Sequence, residues 1–480
     1  MSTRDGRPQP ATHSFEDILL AGLAEDGGLF VPETLPILDA AALRGLVGLP
    51  YAELCARIVE LFAGGAFAAD ELRQLATTAY SGFRHAAVAP LVQLDQRLWL
   101  LELFHGPTLA FKDLALQLVG LMFDAVLARR AERVTIVGAT SGDTGSAAIA
   151  ACGDRAALDI FILYPHNRVS EVQRRQMTTV DAANAHALAV EGTFDDCQDL
   201  VKALFADLSL RRDLNLSAVN SINFARIAAQ IVYYVAAAIA LGAAPGRNGR
   251  AVSFSVPTGN FGNVYAGHLA RAIGVPIERL VIGTNTNDTL ARYLAADDMS
   301  IGEVTPSLSP SMDIQVASNF ERLLFELKGR NGAAVSEAVQ AFRRDRALPK
   351  DAQAWRRARG LFSGHSVDDA ATLRTIGETY ARTGHLIDPH SAVGIAAARA
   401  ELAAAERDQN DSGGPMVALA CAHPAKFPDA VERATGIRPA LPPAVGDLME
   451  RRERITVLPN DAGAVARFLR AHARRTVRAA

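Results

Sequence analysis

RVTIVGATSGDTGSAAIAA, residues 133–151, reads as one strand, one turn and one helix. Residues 133–138 are short, apolar and β-branched, 137–145 are mostly small or hydroxyl-bearing, and 146–151 return to a helical alanine-rich run. The same texture recurs along the chain. Further strands are predicted at 158–164, 216–219, 251–256, 279–283 and 416–421, most followed by a glycine-bearing or polar turn and then a helix. That alternation is the signature of βαβ units around a parallel sheet, so the class is α/β.

Outward from this centre the pattern changes. Residues 34–83 read as helices with short breaks such as Gly64-Gly65, which predicts a mainly helical N-terminal region over 1–95. Between about 285 and 384 strand signals fade into a polar and helical stretch, read as an insertion within a second α/β domain, 226–480. The first α/β domain then covers 96–225. The only biased tract is a short polar loop, 407–414.

With 480 residues, 49 Lys plus Arg against 52 Asp plus Glu, and a net charge of -3, the chain has no broad basic field for nucleic acid or anionic lipid. Its expected partner is a small molecule. Cys55, Cys152, Cys197 and Cys421 are widely separated, with no C-x-x-C pair or histidine at metal-ligand spacing. No metal site or disulfide framework is predicted, and a reducing cytoplasm fits. Residues 1–15 are polar and lack the apolar core of a signal peptide. The longest apolar run, 231–244, is too short to span a bilayer and reads as a buried helix.

Five segments carry candidate chemistry. In HGPTLAFKD, 105–113, a Gly-Pro turn enters a helix whose apolar stripe is Leu114, Leu118, Leu121, Met122 and Ala125, so Lys112 falls in its first turn. Helix N-termini carry positive partial charge, which favours an easily deprotonated, imine-forming amine there; the alternative is a lysine that reaches solvent. VGATSGDTG, 137–145, offers free N–H groups and hydroxyls at a helix start, an anion cradle or an ordinary capped turn. It lacks the nucleotide-loop order of glycines. PTGNFGN, 257–263, is a second such turn, and two cradles suggest a ligand with two anionic groups. In NSINFAR, 220–226, Arg226 opens an apolar helix and can fork a phosphate, unless it lies on a wet face. CAHPAKF, 421–427, puts His423 and Lys426 at a strand's carboxyl end, although a lone His there, like His390, is often structural.

Taken in order, DGGLFVP (26–32), HGPTLAFKD, ATSGDTG, NSINFAR, GNFGN, SPSMDI (309–314), SNFER (318–322) and AHPAKF resemble the threonine synthase family, in its longer bacterial and fungal form, across nearly the whole chain. The resemblance implies the fold type II architecture of pyridoxal-phosphate enzymes, two parallel-sheet α/β domains with the cofactor between them. It implies conversion of O-phospho-L-homoserine and water to L-threonine and phosphate. By it, Lys112 is the Schiff-base lysine and acid/base, and Gly259, Asn260, Phe261, Gly262 and Asn263 wrap the cofactor phosphate. Ser141, Gly142, Thr144 and Thr108 fall on the substrate side, with the first three at its α-carboxylate, and Ser221, Asn223 and Arg226 meet its phosphate. Asp143 falls near the cofactor's phenolic oxygen and Cys421 faces its pyridine nitrogen, where relatives usually have threonine. Asn167 replaces a usual glycine and is expected to be left-handed. A monomer or homodimer is implied. The nearest rivals are a phospho-lyase or dehydratase on the same fold, which stops at elimination, and a non-catalytic phosphate-binding protein, which has no need of Lys112.

Overall fold

A computed structural model of the chain describes residues 1–218, 221–244, 246, 249–407 and 413–474. Val219 and Asn220, expected at a strand end and at the start of NSINFAR, and residues 408–412 of the polar loop lie outside the described residues.

Eleven strands form among them: β1 Leu91–Gln93, β2 Leu98–Glu102, β3 Val134–Ala139, β4 Leu158–Pro165, β5 Ala185–Val190, β6 Leu216–Ser217, β7 Val252–Pro257, β8 Ile277–Thr284, β9 Phe362–Ser366, β10 Met416–Ala420 and β11 Thr456–Leu458. They make two sheets, ordered β1-β2-β10-β7-β8-β9 and β11-β5-β4-β3-β6. The second is wholly parallel; in the first only β1–β2 is antiparallel. All eight residues of β4 are buried, as a central parallel strand covered on both faces requires.

Two strands depart from the expected boundaries. β2, inside 96–225, pairs with β10 of the other sheet, and β11, inside 226–480, pairs with β5. The chain therefore crosses between the sheets three times, between β2 and β3, between β6 and β7 near 225, and between β10 and β11. The stretch 285–384 is also not purely helical: β9 completes the first sheet beside β8. Its Gly364 lies where a Cβ would come 3.0 Å from Ala291 Cα, so close helix packing, not β-branched sequence, explains the residue there.

Eight helices position the site: α1 Tyr51–Ala63, α2 Ala69–Tyr80, α3 Lys112–Arg130, α4 Asp143–Cys152, α5 Phe224–Ala240, α6 Gly262–Ala272, α7 Phe320–Leu327 and α8 Pro389–Arg407. The helix α5, which contains most of the long apolar run, is buried over nearly its whole length and shares one core with α1, α3 and α6. The N-terminal region is thus packed into the body of the molecule. Arg322 of α7, fully buried, fastens it: its guanidinium donates to Phe30 O (2.9 Å), Ile222 O (2.6 Å) and Asn319 Oδ1. One side chain ties the N-terminal region, the loop before α5 and the 285–384 stretch. Asn167 is left-handed as expected, with φ 58.

Candidate active site

Lys112 is the first residue of α3 and is buried. The preceding turn is held from within, because Asp113 accepts from Thr108 N (2.8 Å) and Thr108 Oγ1 (2.6 Å). Gly106 packs against that carboxylate where any Cβ would collide with it. The turn is also fixed from outside by an Ala110–Ala422 bridge, with Phe111 N donating to Cys421 O (2.8 Å) and His423 N to Leu109 O (3.0 Å). Thr108 is thereby spent on structure: its hydroxyl is taken by Asp113, and its carbonyl accepts from Lys426 Nζ (2.8 Å) and Gln176 Nε2 (3.0 Å). With its one hydrogen given to Asp113, the hydroxyl keeps only acceptor lone pairs for a substrate.

One cavity brings together Lys112, Phe111, Asp143, the 257–261 turn, Asn263 and Cys421, and adds Ser311, Met312 and His390. Lys112 Nζ stands 3.5 Å from Asp143 Oδ2 and 3.5 Å from Ser311 Oγ. Burial lowers the lysine's pKa, and the charges of Lys426 and Arg226 add to that, against the pull of Asp143. Desolvation is the chief cause of the lowering.

The charge of Asp143 is answered by a residue whose role the sequence left open. Lys426, fully buried, pairs with Asp143 Oδ1 at 2.8 Å, and Gln173 Nε2 donates to the same oxygen at 2.9 Å. Burial alone pushes the carboxyl up, but Lys426, Lys112 and His390 together hold it well below the usual carboxylate range. His390 is positioned by Asp388, with Nδ1 to Oδ2 at 2.8 Å, so Nδ1 carries the proton and Nε2 accepts from Ser311 N (3.2 Å). His423 is structural: its Nδ1 accepts from Ala425 N (3.2 Å).

Opposite Lys112, the helix α6 starts from Phe261, which is left-handed (φ 68), buried, and seated edge-on against Phe320. Phe261 makes no side-chain cap, and in the first turn Gly262 N donates to Asn260 Oδ1 (3.2 Å). Gly259 passes so near Ser311 that a Cβ would sit 2.8 Å from the carbonyl oxygen. Asn263 Oδ1 accepts from Tyr233 (2.5 Å) and Tyr234 (2.8 Å), while its Nδ2 is buried without a partner. The first-turn N–H groups beyond Gly262, glycine clearance and a free amide make an anion cradle. Gly142 (φ 135) precedes α4, with half-buried Ser141 and Thr144 on either side of it and Asp143; of these four only Asp143 lines the cavity. Cys421 keeps its thiol protonated, burial holding its pKa far above the ordinary value. A buried amine, a free phosphate cradle and a polarised carboxylate between them fit pyridoxal phosphate.

The residues expected at the substrate phosphate divide. Arg226 is 3% exposed, and its Nε and Nη1 have no partner, so it does not lie on a wet face. Asn223 caps α5 by accepting from Ala225 N (3.0 Å), gives one amide hydrogen to Leu19 O (2.8 Å), and does not line the cavity around Lys112. Ser221 accepts from Asn319 Nδ2 through its carbonyl (3.2 Å), and its half-buried side chain does not line the cavity around Lys112. Among the described residues no cluster of His, Cys, Asp or Glu is placed to hold a metal.

Family models match most of the chain. The family described as "Pyridoxal-phosphate dependent enzyme" matches residues 83–344, "Threonine synthase N terminus" matches 1–80 and "Threonine synthase, C-terminal" matches 391–469. A threonine synthase of Pseudomonas aeruginosa is 53% identical over 470 residues, covering 98% of both chains. The chain belongs to the threonine synthase family. Solved family members superpose over almost the whole length. The PLP-bound threonine synthase of Brucella melitensis has 49% identity, a TM-score of 0.93 and 99% coverage of each chain; the yeast enzyme has 38%, 0.91 and 98%. As a family member with the pyridoxal-phosphate fold, this chain is a fold type II enzyme whose cofactor is pyridoxal phosphate.

Proposed function

We propose that this chain is a threonine synthase in which Lys112 carries the cofactor and moves the protons of the reaction, O-phospho-L-homoserine plus water giving L-threonine plus phosphate. The observation that carries the reading is the buried, pKa-lowered amine of Lys112 sharing one cavity with the 257–261 turn and Asn263 at the start of α6. Bound pyridoxal phosphate supplies an electron sink for the charge left when protons depart from carbon.

The chain's own residues do the rest. Gly259, Asn260, Phe261, Gly262 and Asn263 hold the cofactor phosphate, while Asp143, kept ionised by Lys426, and Cys421 border its ring. The loop residues Ser141, Gly142 and Thr144 hold the substrate carboxylate. Lys112, neutral once released, takes the proton from Cα and then one from Cβ. The Cγ–O bond breaks and phosphate leaves toward Arg226, whose free guanidinium matches a dianion. Protons return to Cγ and Cα, and water adds as hydroxyl at Cβ while its other proton goes to the departed phosphate, which balances the overall reaction. Ser311, donating through its N–H to His390 and reaching Lys112 through its hydroxyl, positions the amine.

The enzyme is proposed to work in the cytoplasm as a monomer or homodimer. Four free cysteines support the compartment, and among the described residues no helix is long and apolar enough to cross a membrane. Borohydride reduction of the holoprotein followed by peptide mapping tests the central assignment. The pyridoxyl mass is expected on Lys112; finding it on another lysine overturns the reading.

A further inference from the structure

Gly142 and Asp143 are held from outside their loop by one buried side chain, Gln173, on the short helix Glu171–Thr178. Its amide nitrogen donates to Asp143 Oδ1 (2.9 Å), and its amide oxygen accepts from Ser170 N (3.2 Å). The partners settle that orientation, because Ser170 N can only donate and the ionised Asp143 can only accept. The same carboxamide lies against Gly142, where a Cβ would come 2.4 Å from Gln173 Cδ. The helix is fastened independently by Glu453, which accepts from Arg174 Nε and Nη2 (2.9 Å each) and from Thr178 Oγ1 (2.7 Å).

A carboxamide reaching across from a fastened helix orients what it touches. On Asp143 it shares Oδ1 with Lys426 Nζ (2.8 Å), so two donors meet one oxygen and Oδ2 is left to Lys112 at 3.5 Å. A hydrogen bond to a buried charge is among the strong ones, and it acts here beside the reacting amine. We propose that Gln173 is a positioning residue of the reaction: it fixes the 141–144 loop for the substrate carboxylate and turns Asp143 so that Oδ2 faces Lys112. This rests on the reaction proposed above. The competing role is purely local, since Ser170 and Gln173 also form a capping box. If that were the whole role, glutamate would serve as well at position 173.

The test compares Gln173→Glu, Gln173→Met and Ser170→Ala. Gln173→Glu keeps the capping acceptor but exchanges the amide donor for a carboxyl. Once that carboxyl ionises with rising pH, the donor is lost and two carboxylates face each other, among Lys426, Lys112 and His390, the groups that act on Asp143. Holoenzyme kcat/KM with O-phospho-L-homoserine is expected to fall about tenfold or more in the ionised state, the scale of one hydrogen bond to a charged group. Gln173→Met, which adds no charge, is expected to raise KM more than it lowers kcat, with cofactor content unchanged. Ser170→Ala breaks the same capping box and leaves the bond to Asp143, so its kinetics stay within about threefold of wild type. A second readout uses cofactor-free protein: reductive methylation of Lys112 by formaldehyde, mapped by mass spectrometry across pH. The midpoint for Lys112 is expected at higher pH in Gln173→Glu, because a further carboxylate beside Asp143 favours the charged amine. Wild-type kinetics in both Gln173 variants overturn the proposal, as does an unmoved Lys112 midpoint in Gln173→Glu, or a Ser170→Ala variant that reproduces the kinetic loss. If the wild type makes no threonine, the reaction reading fails, and the Lys112 midpoint still decides whether Gln173 acts on Asp143.

Discussion

Replacing Lys426 by methionine removes a cation at 0% exposure whose Nζ is 2.8 Å from Asp143 Oδ1 and 2.8 Å from Thr108 O. The Asp143 carboxylate is then left buried with only Lys112, at 3.5 Å, and the Gln173 amide for company. Breaking a buried pair from one side costs about 3–5 kcal/mol. An unfolding entropy of about 2.1 cal/mol/K per residue, over 480 residues, converts this to a fall in Tm of about 3–5 °C. Calorimetry on the cofactor-free wild type, Lys426→Met, Asp143→Asn and the double variant forms a cycle. Each single change should destabilise, and the double should recover part of the loss, with a coupling of about 1–3 kcal/mol. The same substitution removes a charge that lowers the Lys112 pKa, so the lysine's deprotonation, read in the pH dependence of the holoenzyme, moves to higher pH. Additive single effects, or a loss below about 1 kcal/mol, would refute the idea that Lys426 neutralises Asp143.

Other changes probe the frame around the site. Burial, with neighbouring cations, lowers the His268 and His423 imidazoles to about 4, against about 6.5 when unfolded. The unfolded chain then binds more protons across that window, so stability is lost as pH falls from about 6.5 toward about 4. Chemical denaturation of His268→Phe should show a pH slope flatter by about 1.4 kcal/mol per pH unit, and an unaltered slope counts against it. Gly142→Ala forces a side chain onto φ 135 and into the Gln173 carboxamide, so kcat/KM should fall at least about tenfold while cofactor content holds. Wild-type kinetics in that variant would remove Gly142 from the substrate loop. Arg322→Met strands the Phe30 and Ile222 carbonyls and should cost about 3 kcal/mol or more in urea unfolding, with smaller values contradicting its role as a fastener.

Much of this was legible in the chain alone because it depends on local order. The burial of β4, the placing of Lys112 at a helix start and the glycine clearance at 259 follow from runs and turns a few residues long. What was hidden depends on partners distant in sequence. Thr108 and Asn223 carry the hydroxyl and amide suited to a ligand, and only the fold shows that each is also bonded within the protein, to Asp113 and to Leu19 and Ala225. Lys426 and Ser311 sat in recognised motifs without a role, because only folding sets them against Asp143 and Lys112. Alanine-rich β5 escaped notice for the same reason: its strand form is imposed by β4 and β11 on either side rather than by β-branched residues of its own.

The most direct measurement is incubation of the purified holoprotein with O-phospho-L-homoserine, quantifying phosphate, threonine and 2-oxobutanoate in one sample. Threonine equal to phosphate, with both lost in Lys112→Ala, is the predicted result. Phosphate accompanied by 2-oxobutanoate and ammonia would make the chain a lyase that stops at elimination, and would contradict the account.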